Sequence, residues 1–207
     1  MLGKFITLEG TEGVGKSTCI AVIEDWLKGR GVQFVSTREP GGTSLGEELR
    51  ELLLAHRAID MAPLTELLLV FAARAQHLAE KIRPTLASGA WVLCDRFTDA
   101  TFAYQGAGRG LDEGSILTLA KLVHDDLAPD LTILLDVDPE VGLKRAGRRG
   151  GLDRFEREDL AFFERVREGY HCRMKDDQTR FSLVNAGESP ASVAETIKRV
   201  LDTRFPG

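Results

Sequence analysis

The chain has 207 residues, 43% hydrophobic and 29% charged, with a formal net charge of −5. That composition fits one soluble α/β domain able to bury its own core, and the acidic balance excludes a general nucleic-acid-binding surface. No apolar stretch is long enough to span a bilayer, Lys4, Glu9 and Glu12 interrupt anything like a signal peptide, and three scattered cysteines (Cys19, Cys94, Cys172) form neither a disulfide framework nor a zinc spacing, so a reducing, cytoplasmic setting is expected.

The first apolar run, Phe5–Glu9, predicts a strand. It leads into Gly10-Thr11-Glu12-Gly13-Val14-Gly15-Lys16-Ser17, a G-x-x-x-x-G-K-[ST] sequence, and a helical pattern over 16–28 follows, closed by Gly29 and Gly31. Strand, glycine turn and helix in that order are the context in which this pattern binds phosphate. Glycines let backbone N–H groups curl around phosphate oxygens, and the helix adds its positive end. Gly10, Thr11, Glu12, Gly13, Val14, Gly15, Lys16, Ser17 and Thr18 are therefore the candidate ATP-binding segment, with Lys16 reaching the β- and γ-phosphates and Ser17 holding Mg²⁺. The competing reading, a glycine-rich turn without a ligand, fits the lysine–serine pair poorly.

Further strands are predicted at Gln33–Thr37, Trp91–Asp95, Leu131–Asp136 and Phe181–Asn185, and helices at 44–55, 63–87, 112–126, 138–147, 158–176 and 190–203. Several strands are apolar throughout, as strands covered on both faces are. The alternation predicts an α/β, three-layer P-loop sandwich: a five-stranded parallel sheet with helices on both faces. Ser189-Pro190 marks a helix start, and Pro84 predicts a kink or early end in the 63–87 helix. With no repeat, low-complexity segment or linker, residues 1–207 read as a single P-loop domain.

Ligands of such sheets lie beyond the C-terminal strand ends. Arg38, followed by Glu39-Pro40-Gly41-Gly42, suits a second phosphate; alternatively it is a surface arginine on a tight turn, and Glu39 either orients it or is solvated. Asp95 and Arg96 end the third strand. Asp95 suits hydrated Mg²⁺ and Arg96 suits bridging two phosphates, or the two form an exposed ion pair. Leu67, Phe71, Arg74 and Leu78 share a helix face, which is either a core stripe with a snorkelling arginine or a cleft wall where Phe71 stacks on a ring and Arg74 donates to its carbonyl. Thr101, Tyr104 and Gln105 share another face, suited to a base edge and sugar rim or else simply solvated. Residues 144–157 mix glycines with arginines and read as a mobile lid that closes positive charge over phosphates. The four histidines make no ligand spacing, and Asp125-Asp126 and Asp176-Asp177 diverge on their helices as solvated pairs.

Together these motifs resemble the thymidylate kinase family, over nearly the whole chain. The resemblance rests on Phe-Ile-Thr-Leu-Glu-Gly before the loop, Thr-Arg-Glu-Pro-Gly-Gly-Thr at 37–43, Leu-Leu-Leu-Val-Phe-Ala-Ala-Arg-Ala-Gln-His at 67–77, Asp-Arg-Phe-Thr-Asp-Ala-Thr-Phe-Ala-Tyr-Gln-Gly at 95–106 and Leu-Asp-Arg-Phe-Glu at 152–156. It implies phosphorylation of dTMP to dTDP with ATP and Mg²⁺, in dTTP biosynthesis. It implies that Phe71 stacks on thymine, that Arg74 bonds its carbonyl, and that Thr101 and Gln105 read the base edge. Tyr104 would sit where a ribose 2′-hydroxyl would lie, Glu12 near the 3′-hydroxyl, and Arg38 and Arg96 on the dTMP phosphate. The loop carries no arginine at 11–14, whereas the lid has Arg145, Arg148, Arg149 and Arg154, so the chain resembles the bacterial type with its catalytic arginine in the lid, taken here as Arg148 or Arg149. The family also implies a homodimer packed through the 63–87 region.

An acceptor that is already an anionic phosphate oxygen needs no strong general base, leaving catalysis to alignment and charge neutralisation. The nearest rival is another small-molecule or nucleoside monophosphate P-loop kinase. A GTPase switch is disfavoured because neither N-K-x-D nor D-x-x-G occurs.

Overall fold

A computed structural model describes residues 3–56, 58–147, 154–155 and 157–206. Five strands, β1 (Phe5–Glu9), β2 (Phe34–Arg38), β3 (Trp91–Asp95), β4 (Leu131–Asp136) and β5 (Phe181–Asn185), form one sheet in the order β2-β3-β1-β4-β5. Every pairing is parallel. This is the expected α/β sandwich, with β2 one residue later than the pattern placed it.

Period-two alternation divides β1 between two cores. Ile6 and Leu8 face α1 (Lys16–Gly29) and α9 (Pro190–Arg204), packing with Ile23, Leu27, Ile197 and Leu201. Phe5 faces the other layer, against Leu78, Ile82 and Phe97. Thr7 spends its hydroxyl on Thr132 at 2.8 Å. The same alternation turns Glu9 toward this second layer.

That layer holds α3 (Pro63–His77), a π-helical turn (Leu78–Ile82), α4 (Arg83–Ala87), α5 (Thr98–Thr101), a second π-helical run (Phe102–Gly108), α6 (Glu113–Val123) and α8 (Leu160–Asp176). The 63–87 helix therefore does not stop at Pro84. It widens into a π-turn just before the proline, where one ordinary backbone hydrogen bond has no donor to use. The 98–108 helix was not predicted, although the spacing of its polar residues was. Helices α2 (Ser44–Leu54), α6 and α8 begin at Thr43, Asp112 and Asp159, whose side chains accept from the N–H groups of Gly46, Ser115 and Phe162. Helix α7 (Pro139–Gly147) leads toward the sequence-predicted lid. Among the described residues no helix is long and apolar enough to cross a membrane.

Candidate active site

Strand register brings three loop starts to one level: Leu8 and Arg38 each pair with Asp95. The connections leaving β1 and β3 run to opposite sides of the sheet, the switch point at which open α/β sheets bind ligands. A cavity of about 270 Å³ lies there, lined by the glycine loop, the β2 and β3 ends, α2, α3 and the 98–108 helix.

The loop has the geometry that its glycines allow. Gly13 and Gly15 adopt φ of 72° and 90°. A Cβ on Gly13 would sit 1.9 Å from the Gly142 carbonyl oxygen, whereas one on Gly15 would meet nothing within 4 Å. Gly15 caps α1, so the helix's N-terminal N–H groups open on the cavity. Lys16 Nζ folds over the loop and donates to the Thr11 carbonyl at 3.2 Å and the Gly10 carbonyl at 3.4 Å. Burial first, then Arg96, push the Lys16 ammonium below the usual lysine value, opposed by Asp95, Glu12 and Glu9. Val14 joins the core and Thr11 is buried, while Ser17 and Thr18 are exposed. Lys16 and Ser17 both line the cavity.

Arg96 has a left-handed backbone, φ 71°, uncommon for a residue other than glycine. Its Nη2 donates to Glu12 Oε1 at 3.0 Å and its Nη1 to the Tyr170 hydroxyl at 2.9 Å. The Tyr104 hydroxyl donates to Glu12 Oε2 at 2.6 Å, and the Arg96 guanidinium lies 4.7 Å from the centre of the Tyr104 ring. Glu12 thus ties the loop to both residues. Behind them lies Glu9, fully buried, accepting from the Phe97 N–H at 2.7 Å and the Tyr170 hydroxyl at 2.8 Å. Burial, reinforced by Asp99, pushes the Glu9 carboxyl up to about 8 against the pull of Arg96, Tyr170 and the Phe97 N–H. The sequence signal for Glu9 was a lone carboxylate ending an apolar strand.

Arg74 is 1% exposed and lines the cavity, so it does not snorkel to water, whereas Leu67, Phe71 and Leu78 of the same stripe belong to the core. Arg74 Nε donates to Glu39 Oε2 at 2.7 Å, and its Nη2 to Thr101 Oγ1 at 2.9 Å and the Phe97 carbonyl at 3.2 Å. Nη1 is buried and has no partner among the described residues. Glu39 does not orient Arg38 and is not solvated. It is buried, precedes a cis peptide to Pro40, and holds Arg74 Nε and His77 Nδ1, while Arg38 pairs with Glu47 at 2.7 Å. Burial pushes the Glu39 carboxyl up, but Arg74 and His77 outweigh it and leave it below the usual range.

Of the residues expected at the acceptor site, Glu12, Arg38, Arg74, Arg96, Thr101, Tyr104 and Gln105 line the cavity and Phe71 does not; in the ATP-binding segment Gly10, Thr11, Val14 and Thr18 also lie off its lining. Phe71 packs in a buried cluster with Leu67, Phe102, Ile116 and Ala120, and Val70 forms the wall instead. Three- and four-residue steps from Arg74 reach both positions, so spacing alone did not separate them. Thr101, Tyr104 and Gln105 all line the cavity, and Gln105 Nε2 donates to the buried Glu66 at 2.8 Å. Asp95 and Arg96 form no exposed ion pair: Asp95 Oδ1 is buried with no hydrogen-bond partner among the described residues. That orphaned carboxylate oxygen, with the Ser17 hydroxyl in the lining of the same cavity, is a donor set that fits Mg²⁺, which favours carboxylate and water oxygens alongside nucleotide phosphates. Sequence reasoning did not reach Arg50, Leu53 and Leu54 of α2, which also line the cavity.

Arg148 and Arg149 lie outside the described residues. Arg145 Nη1 donates to the Ala186 carbonyl at 2.9 Å, and Arg154 donates to Leu53 O at 2.9 Å and Glu66 Oε2 at 2.6 Å.

The family model described as thymidylate kinase matches residues 8–197. A protein named thymidylate kinase from Teredinibacter turnerae is 57% identical over 202 residues, covering 98% of each chain. One of the same name from Chromohalobacter salexigens is 57% identical, covering 98% of this chain and 97% of its own. A crystal structure of thymidylate kinase from Ehrlichia chaffeensis superposes with a TM-score of 0.80 at 34% identity, covering 97% of this chain and 100% of that one.

Proposed function

Because the chain belongs to the thymidylate kinase family, we propose that it transfers the γ-phosphoryl group of ATP to the phosphate of dTMP, giving ADP and dTDP in dTTP biosynthesis. The observation that carries this reading is Arg74 Nη1, a buried donor without a partner among the described residues, on a side chain that lines the same cavity as Lys16. A donor left unpaired at such cost suits a ligand carbonyl.

In this reading Lys16 neutralises the donor's β- and γ-phosphates, and the open amides at Gly15 bind them. Arg38 and Arg96 hold the acceptor phosphate. Glu12 lies near the sugar 3′-hydroxyl, with Tyr104 beside it on the 2′ side, and the pairing of both with Arg96 couples sugar recognition to phosphate alignment. Thr101, Gln105 and Arg74 face the base, and Val70 replaces Phe71 as the apolar wall against it. Ser17 and Asp95 would hold Mg²⁺, which supplies charge neutralisation at the phosphate oxygens when bound. The acceptor oxygen is already anionic, so no side chain need remove a proton. The absence of an arginine at 11–14 supports assigning the catalytic arginine to the lid, at Arg148 or Arg149. Exposed Leu64 and Leu68 on α3, with Leu117 and Leu122 on the adjacent α6, support a homodimer packed through that face. The acidic charge and the lack of a membrane-crossing helix among the described residues support a cytoplasmic enzyme acting on free nucleotides.

The test is a coupled assay of ADP release with dTMP, dUMP, CMP and AMP as acceptors. Preference for dTMP is expected, and preferential phosphorylation of CMP or AMP would overturn the proposal.

A further inference from the structure

Glu66 stands outside the cavity, two helical turns before Arg74 on α3, and its carboxylate is 0% exposed. Oε1 accepts from Gln105 Nε2 at 2.8 Å and from Arg109 Nε at 3.4 Å, and Oε2 accepts from Arg154 Nη2 at 2.6 Å. Guanidinium groups only donate, so a carboxylate engaged by two of them presents acceptors on both oxygens. An amide set against it is satisfied in one sense only. Its NH₂ must face Glu66, because the reverse would oppose two acceptors in a buried space. The orientation of the Gln105 amide thus follows from the chemistry of its partner rather than from the labelling of its atoms. Gln105 lines the cavity, so Oε1 is the amide atom left for it.

Two cross-links join α3 to the 98–108 helix: Glu66 with Gln105, and Arg74 with Thr101. Between them the shared wall offers a donor, Arg74 Nη1, and an acceptor, Gln105 Oε1. Thymine presents a carbonyl acceptor beside its N3–H donor. Cytosine presents the reverse, an amino donor beside an N3 acceptor, and a fixed donor–acceptor wall opposes it.

We propose that Glu66 is a specificity-determining positioning residue: it locks the Gln105 amide with its oxygen toward the base and thereby selects a thymine-type edge over a cytosine-type edge. The proposal rests on the dTMP reading above. No substrate touches Glu66, which acts through Gln105 alone.

The test compares kcat/KM for dTMP and dCMP in the full chain. Glu66→Gln keeps the shape but offers both a donor and an acceptor, so the Gln105 amide is free to turn. The dTMP/dCMP ratio is expected to fall about 5- to 150-fold, the worth of one well-paired base edge, through a higher KM for dTMP and a gain with dCMP. Glu66→Gln combined with Gln105→Glu conserves charge and returns an oxygen to the base, so it should restore the ratio. Arg154→Gln removes a Glu66 partner without freeing the amide and should depress both substrates alike. A ratio in Glu66→Gln within about twofold of wild type would overturn the assignment to Glu66 while leaving the dTMP reading intact. A wild type that does not prefer dTMP to dCMP would overturn both. Should Glu66→Gln not fold, the side-chain amide resonances of Gln105 in the wild type decide. Slow exchange unmoved by dTMP supports the lock, and an NH₂ pair displaced directly by dTMP overturns it.

Discussion

Replacing Arg74 by methionine keeps most of the side-chain length and removes only the guanidinium. In the wild type Arg74 and Glu39 are 1% and 4% exposed and meet at 2.7 Å. Without Arg74, the Glu39 carboxylate keeps His77 Nδ1 at 3.0 Å and little else. Removing one partner of a buried pair costs about 3–5 kcal/mol, and at this chain length each kcal/mol shifts Tm by about 2–4 °C, so a loss of about 6–20 °C is expected. The effect carries a pH signature. Against burial, Arg74 and His77 hold the Glu39 carboxyl below its ordinary value of 4.5, so the wild-type pairing contributes stability above that value and loses it as pH falls through the lowered one. In Arg74→Met burial dominates, and Glu39 can escape its penalty by taking a proton. The deficit is then largest near neutrality and shrinks as pH falls toward 4.5. Adding Glu39→Gln removes the stranded charge, and the double variant should be more stable than Arg74→Met near neutral pH. Urea unfolding followed by circular dichroism at about pH 7.5 and about pH 5 measures all three. A deficit below about 1 kcal/mol for Arg74→Met at the higher pH, or a double variant no better than the single, would refute the reasoning.

Three further outcomes are expected. Lys16→Ala should lower turnover about 10³-fold or more while dTMP still binds, as read by single-turnover kinetics beside calorimetry; near-normal turnover would contradict the role given to the loop. Glu9→Gln should flatten a pH trend in stability. The Glu9 carboxyl is raised from 4.5 to about 8, so its contribution is complete below the lower value and lost as pH climbs through the upper one; wild-type urea midpoints should fall across that window and those of the variant should not. Chelation of Mg²⁺ should abolish turnover in the wild type, and Asp95→Asn should raise the Mg²⁺ concentration needed for half-maximal rate without comparable weakening of dTMP binding.

The strand–helix alternation made the sheet legible almost to the residue, because β1, β3 and β4 are covered on both faces and read as mainly apolar runs closed by a carboxylate. The glycine loop was legible because its conformation requires specific residues at specific steps. The 98–108 helix was harder to read. Its Thr, Phe, Tyr and Gly residues favour helix weakly, and it is held by packing on α8 rather than by propensity. Of the two outcomes expected at Pro84, a kink or an early end, the structure excludes the early end: a π-turn precedes the proline and the helix continues through Ala87. The buried partners Glu9, Glu39 and Tyr170 belong to three distant segments, and only the fold brings them against Arg74 and Arg96.

The misassignment of Phe71 shows where helical spacing runs out of resolution. From Arg74, a step of three to Phe71 and then one of four leads back to Leu67, and two steps of four lead through Val70 to Glu66. Both sets form a face, and aromatic character favoured the first. The structure sends Leu67 and Phe71 into the core and leaves Glu66, Val70 and Arg74 toward the 98–108 helix. A physical signal for the second set was already in the sequence. Glu66 and Arg74 are two charges separated by two turns in an otherwise apolar stretch. Burying one charge without a partner is costly, so two on one stripe imply a polar seam with its own partners on a facing element. Thr101 and Gln105, four residues apart, are those partners. Buried charge, more than aromatic content, marks the face of α3 that carries the polar seam and the cavity wall.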